Sequence, residues 1–269
     1  DARQRGERPA SEAASLNGEA FQDLVSLMVG NRGQRFSREE IRHQALTFLF
    51  AGHDTTTNLI AWCLDLLARH PASLAEVQSE VRAQPEGPHV FLRCCLLETL
   101  RLYPSVPVRS RTLAADDAFE VAVQGRCPML RTRQGVVRLA KGMGVAFPIN
   151  AVHRHPDHWA SPDAFEPGRF KEHIKDAGDM FSTAWVSSGT SAEVQPLIYL
   201  PFGAGPRRCI GERFGLMEAE EVCAAVLRIC ELRAPASPPP VDEMHLTMYA
   251  RGGVPLFLEE KAMQIGAAG

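Results

Sequence analysis

Apolar residues recur at helical spacing over most of the chain. They give way to β-branched, glycine-interrupted patterns between Val106 and Ile149, and again beyond Leu232. A short helical patch falls at Phe21 to Val29, inside an opening stretch of Arg, Gly, Glu and Ala. Ser37-Arg38-Glu39-Glu40 then forms a capping box, with Ser37 as N-cap and Glu40 reaching back to it. The pattern that follows predicts a long helix over 37–70, stopped by Pro71 and carrying Gly52 at its middle; so long and apolar a helix is expected to run through a core. Further helices are predicted from Ala72 to Arg82, from Val90 to Tyr103 ahead of Pro104, and from Glu212 to about Cys230. Strands and hairpins are expected over 106–150, an irregular stretch punctuated by Pro156, Pro162 and Pro167 over 151–200, and a loop over 201–211. The tail, 232–260, reads as a proline-rich turn and a strand pair around Gly252-Gly253. The fold class is mixed, mainly α with peripheral β-hairpins.

Composition narrows the function. The 269 residues are 45% hydrophobic and 23% charged, which excludes collagen-like and mostly disordered chains. Net charge is −3, so no global field invites nucleic acid. Four of the 29 basic residues are lysine and the rest arginine, the side chain suited to fixed bidentate pairing. No apolar run approaches the ~18 residues of a membrane span. Seven cysteines with no C-x-x-C pair suggest neither a disulfide framework nor a zinc site. Cys63, Cys94, Cys95, Cys223 and Cys230 sit in helical apolar patterns as small buried hydrophobes, and Cys127 lies in a polar segment with no evident task.

Cys209 is different. It stands in Phe202-Gly203-Ala204-Gly205-Pro206-Arg207-Arg208-Cys209-Ile210-Gly211, a glycine-bearing loop immediately ahead of a helix. Gly203 and Gly205 permit backbone angles closed to other residues, and the helix N-terminus with Arg207 and Arg208 adds positive potential that favours thiolate. On that chemistry alone, a reactive or metal-bound thiolate and an inert structural cysteine both stand. The segment, however, matches F-x-x-G-x-R-x-C-x-G at Phe202, Gly205, Arg207, Cys209 and Gly211, and so resembles the haem-binding signature of the cytochromes P450. Five such positions arise by chance on the order of once in 10⁴ chains of this length. The resemblance implies haem b as cofactor, Cys209 as the ligand of its iron, Arg207 against a propionate and Phe202 beside the sulfur.

Further segments resemble the same family in the same order. Glu98-Thr99-Leu100-Arg101 places a carboxylate and a guanidinium on one helix face, by itself an ordinary ion pair. With Leu102-Tyr103-Pro104-Ser105-Val106-Pro107 after it and Phe165-Glu166-Pro167-Gly168-Arg169-Phe170 beyond, it resembles the family's K helix and its later F-x-P-x-R-F segment. That implies a buried triad of Glu98, Arg101 and Arg169, whose net positive charge calls for backbone acceptors. Ala51-Gly52-His53-Asp54-Thr55-Thr56 is on its own a polar interruption of a helix, but it resembles the family's distal I-helix motif. Thr55 would then order the hydrogen bonds around dioxygen and Asp54 would deliver protons, while His53 receives no role. By position, Ala51, Val106, Val108 and Leu246 (beside Thr247) are substrate-contacting candidates; Arg111 is the candidate for a second propionate, with Arg109 competing.

The resemblance thus implies the C-terminal half of the P450 fold, with residues 1–269 a partial domain around a long central I helix. Family members are longer, and the remainder would precede Asp1. Two segments, Glu120 to Arg138 and Asp176 to Val194, are longer than the pattern requires and read as peripheral insertions. The implied function is a haem-thiolate monooxygenase that uses O₂, a hydrophobic substrate and electrons from an NADPH-dependent reductase, which Arg208 and Arg213 could meet. An anchor in the endoplasmic-reticulum membrane ahead of Asp1 is the implied address. The alternatives are a non-catalytic fragment and a P450-like isomerase or dehydratase acting on peroxides, against which Asp54-Thr55-Thr56 argues.

Overall fold

The structure is a computed structural model and describes residues 24–30, 36–122, 134–176 and 198–261. Cys127 and most of the two long segments, residues 123–133 and 177–197, lie outside the described residues. The chain divides into two units, residues 1–53 and 54–269. The first holds α1 (Leu24–Gly30) and the start of α2 (Arg38–Arg69). The capping box forms as the sequence specifies: the Ser37 amide donates to Glu40 Oε2 at 2.7 Å, and the Glu40 amide to Ser37 Oγ at 3.2 Å. Two of the amides left unpaired at a helix start are thereby satisfied.

The second unit carries the core. It contains α3 (Pro71–Ala83), α4 (Val90–Leu102), α5 (Ile149–Val152), α6 (Lys171–Asp176) and α7 (Glu212–Ile229). Leu59, Cys63, Leu66 and Leu67 of α2 join Leu92, Cys95, Leu96 and Leu100 of α4 and Leu216, Cys223 and Leu227 of α7 in one buried cluster. The stacked rings of Trp62 and Tyr103, 3.9 Å between centroids, fasten α2 to the exit of α4. Among the described residues, the later turns of α2 are the ones that enter this cluster. Leu46, Phe48, Leu49 and Phe50 are exposed, because burial requires a facing layer and the cluster begins at Leu59.

Every strand pairs antiparallel with one partner: β1 (Val108–Thr112) with β4 (Gly144–Pro148), β2 (Asp117–Ala122) with β3 (Gln134–Leu139), β5 (Cys230–Arg233) with β8 (Phe257–Glu260), and β6 (Asp242–Met244) with β7 (Met248–Ala250). The expected pair around Gly252-Gly253 does not form. Those glycines make the turn between β7 and β8, which belong to different sheets. β8 is drawn instead to β5, the direct continuation of α7, and the Lys261 amide closes on the Ile229 carbonyl at 2.8 Å. The hairpin tip of the tail is accordingly His245-Leu246-Thr247, between the paired Met244 and Met248. No helix among the described residues is long and apolar enough to cross a membrane.

Cys63, Cys94, Cys95 and Cys223 are buried and Cys230 partly so. Burial pushes the Cys94 thiol up to about 12; burial and the nearby Cys63 hold Cys95 well above the ordinary range, and a hydrogen bond with Cys63 together with burial does the same for Cys223. They are inert packing groups. Cys209 is the exposed cysteine among those described.

Candidate functional site

Cys209 is held by local backbone geometry. The Gly203 amide bonds the Leu200 carbonyl at 3.0 Å, a 3₁₀ turn spans Gly205–Arg207, and the Cys209 amide returns to the Phe202 carbonyl at 2.9 Å. Gly203 and Gly205 sit at φ +76° and +70°, where a side chain would be strained. Phe202 is half-buried and anchors the loop on the core, so the loop's far side, with Cys209, Ile210 and Gly211, faces outward. Ile210 and Phe214 are 88% and 71% exposed, leaving a large apolar surface beside the sulfur. A flat apolar group could cover such a surface.

The arginines sort themselves differently from their spacing. Arg207 is exposed on the loop, whereas Arg208 forks onto Glu212 with both bonds at 2.6 Å. Its charge is thus matched by Glu212 inside the chain. On β1, Arg111 is exposed and donates to its neighbour's carbonyl, Ser110 O, at 2.8 Å. Arg109 instead lies across the cysteine loop: a Cβ placed on Gly203 would stand 2.8 Å from its Nη1. Its Nε is buried without a hydrogen-bond partner. Burial lowers the pKa of this guanidinium, while the neighbouring Cys209 supports its charge. A buried guanidinium edge with no acceptor fits an anion supplied from outside the chain. Arg109 is thus the arginine that the structure lays against Gly203 of this loop.

Behind the loop, the structure brings Glu98, Arg101 and Arg169 together. Glu98 and Arg101 are fully buried on α4 and pair through two bonds, at 2.8 and 2.9 Å. Arg169 Nε reaches Glu98 Oε1 at 3.1 Å, and the Glu166 amide donates to the same oxygen at 2.9 Å. Arg101 spends its remaining donors on three carbonyls, His153 (3.0 Å), Pro162 (2.6 Å) and Ala164 (2.9 Å). Glu166 adds a second carboxylate, 2.9 Å from Arg169, so the local charge balances. Sequence reasoning anticipated the acceptors but missed Glu166 and His153. His153 is itself buried, and its Nε2 accepts the Leu200 amide at 2.7 Å just ahead of the loop. Burial drives its pKa down to about 3, so the ring stays neutral.

On α2, Asp54 and Thr55 are half-buried, and Ala51 and His53 are exposed. Asp54 Oδ2 accepts a 2.6 Å bond from Thr247 Oγ1 on the tail hairpin. The Thr55 carbonyl accepts one from Ser105 Oγ at 2.9 Å. Val106 is half-buried, and Val108 and Leu246 are exposed. The sequence put Thr247 with Leu246 at a substrate-facing position of the tail, gave it no bond to Asp54, and gave Ser105 no task. A hydroxyl next to an apolar candidate was the one available signal.

Comparison with known proteins identifies the family. A family model described as Cytochrome P450 matches residues 11–256. The chain is 31% identical to Cytochrome P450 4d2 of Drosophila melanogaster over 86% of its length and 42% of that protein's. It is 32% identical to Cytochrome P450 4V2 of Homo sapiens, over 83% and 39% respectively. Leukotriene-B4 omega-hydroxylase 3 of Mus musculus is 32% identical, over 92% and 43%. The chain thus spans about two fifths of the length of the curated relatives it matches. The crystal structure of the cytochrome P450DA heme domain superposes with a TM-score of 0.67 at 30% identity, covering 89% of this chain and 50% of that one. The cofactor is haem b, and the exposed sulfur, the apolar surface and the partnerless Arg109 Nε are groups that fit it. From its cysteine loop to its buried Glu98 network, the chain belongs to the cytochrome P450 family.

Proposed function

We propose that this chain is the haem-bearing part of a monooxygenase. It would place one atom of O₂ into a C–H bond of a hydrophobic substrate and release the other as water. Two electrons from an NADPH-dependent reductase and two protons balance that reaction. Haem, when bound, supplies the activation of dioxygen. The protein's own tasks are to hold, orient and protonate. Cys209 Sγ is the group to hold the iron; Arg109, with Arg207, is suited to the propionate carboxylates. Asp54 and Thr55 are the residues to hold and pass protons. Val106, Val108 and Leu246 present apolar surface that orients an apolar substrate and excludes water.

A chain-like lipid is the substrate class we favour, since a relative bears the name leukotriene-B4 omega-hydroxylase. Location at the endoplasmic-reticulum membrane is part of the same proposal and is checked by fractionation. The observation that carries the reading is the exposed Cys209 on a loop shaped by Gly203 and Gly205. The test is Cys209→Ser in the full-length protein that contains this chain. The thiolate-type spectrum of the carbon-monoxide adduct should disappear; an unchanged spectrum overturns the assignment.

A further inference from the structure

Three segments far apart in sequence close a ring of hydrogen bonds next to the proton-delivery residues. Thr247 Oγ1 donates to Asp54 Oδ2 at 2.6 Å. The adjacent Met248 amide donates to the Ser105 carbonyl at 3.0 Å. Ser105 Oγ then donates to the Thr55 carbonyl at 2.9 Å. Each segment contributes one residue or two consecutive ones, so none can shift without breaking a bond to another. Thr247 and Ser105 are both buried, at 8% exposure, so water is a poor substitute partner for either hydroxyl. The bond to Asp54 is short, as a hydroxyl-to-carboxylate bond is.

The ring has one end in a place where substrate would touch it. Thr247 closes a three-residue loop, His245-Leu246-Thr247, between paired Met244 and Met248, and the His245 amide spans the loop to the Thr247 carbonyl at 3.0 Å. Leu246 at the tip is 69% exposed, and its backbone is covalently joined to the residue that holds Asp54. The exposed tip and the residue bonded to Asp54 are thus consecutive in one short loop.

We propose that Thr247 is a positioning residue that fixes the Asp54 carboxylate, and that the hairpin makes this orientation respond to substrate seated at Leu246. The inference rests on the monooxygenase reading, in which Asp54 delivers protons. Through Thr247, proton delivery is held in place by the segment that senses substrate. Ser105 fixes the Thr55 carbonyl and the hairpin backbone, so the two residues act as one clamp.

The test uses the haem-loaded full-length protein and the variants Thr247→Val, Thr247→Ser, Asp54→Ala and Thr247→Val/Asp54→Ala. The first measurement is a urea unfolding cycle. Removing the hydroxyl and the carboxylate together should change the unfolding constant on the order of tenfold less than the product of the single changes, as a bond to a charged group requires. The second is the share of NADPH electrons released as peroxide with substrate present. It should rise at least about threefold in Thr247→Val, well short of the ~100-fold that a fully misplaced group can cost, and return toward the parent value in Thr247→Ser. An additive cycle, or unchanged peroxide release in Thr247→Val, overturns the inference. If Thr247→Val does not fold, Thr247→Ala takes its place in the same cycle with the same criteria, and Thr247→Ser remains the rescue. A parent protein without the thiolate-type carbon-monoxide spectrum removes the underlying reading instead, and this inference with it.

Discussion

Replacing Glu98 by alanine should destabilise the protein more than any change to its partners' exposed ends. Glu98 is fully buried and accepts four bonds: two from Arg101, one from Arg169 and one from the Glu166 amide. Removing one partner of a buried pair leaves an uncompensated charge and costs about 3–5 kcal/mol. Arg101 would keep its carbonyl partners His153, Pro162 and Ala164, which puts the loss at the lower end, about 3 kcal/mol. That is still a large share of the roughly 5–15 kcal/mol that keeps a domain folded. Glu98→Gln retains the shape and one acceptor oxygen but turns an amide donor toward a guanidinium, so about 2 kcal/mol is expected. Arg169 is partly exposed and shares its charge with Glu166, so Arg169→Ala should cost only about 1 kcal/mol. Urea unfolding followed by circular dichroism gives the order, provided the slope with denaturant is unchanged. A Glu98→Ala loss below about 1 kcal/mol, or one smaller than that of Arg169→Ala, would refute the view that Glu98 is the hub of this network.

Two further predictions address the cysteine loop and its support. His153 has a pKa of about 3 when folded and the ordinary 6.5 when unfolded, so between those values the unfolded chain binds the extra proton. Stability should fall as pH drops from 6.5 toward 3, by up to about 1.4 kcal/mol per pH unit, and His153→Asn should flatten that slope in acid unfolding curves; an unaltered slope contradicts the assignment. Gly203→Ala and Gly205→Ala both force a side chain into the left-handed region, costing about 1–2 kcal/mol each, but only the former meets Arg109, since nothing lies within 4 Å of a Cβ at Gly205. Haem retained per protein after gel filtration should therefore drop further in Gly203→Ala, and equal retention would remove Arg109 from the site.

The comparison of sequence and structure separates by range. The capping box at Ser37 and Glu40, the pairing of Glu98 with Arg101 and the turn of the cysteine loop depend on neighbours within a few residues. Spacing alone fixes such contacts, because helix and turn geometry are the same wherever they occur. That Arg109 is the one to approach Gly203 was not legible, since Arg109 and Arg111 lie on the same face of β1 and only the packing of the loop distinguishes them. The pairing of Arg208 with Glu212 was not read either, because Arg208 lies in the loop ahead of α7 and only the folded loop brings its guanidinium onto Glu212.

What the sequence by itself determined is the four long helices, the cysteine loop and the family to which they belong, while the short helices α5 and α6 fall where it read irregular chain. Each follows from short-range periodicity or from a fixed run of residue types. Only the tertiary structure decided that Asp54 is held by Thr247, that Arg101 ends on three distant carbonyls, and that β8 leaves β7 to pair with β5. Those contacts join residues far apart along the chain. Their register is set by which surfaces the packed helices bring within bonding distance, and separation in sequence carries no record of it.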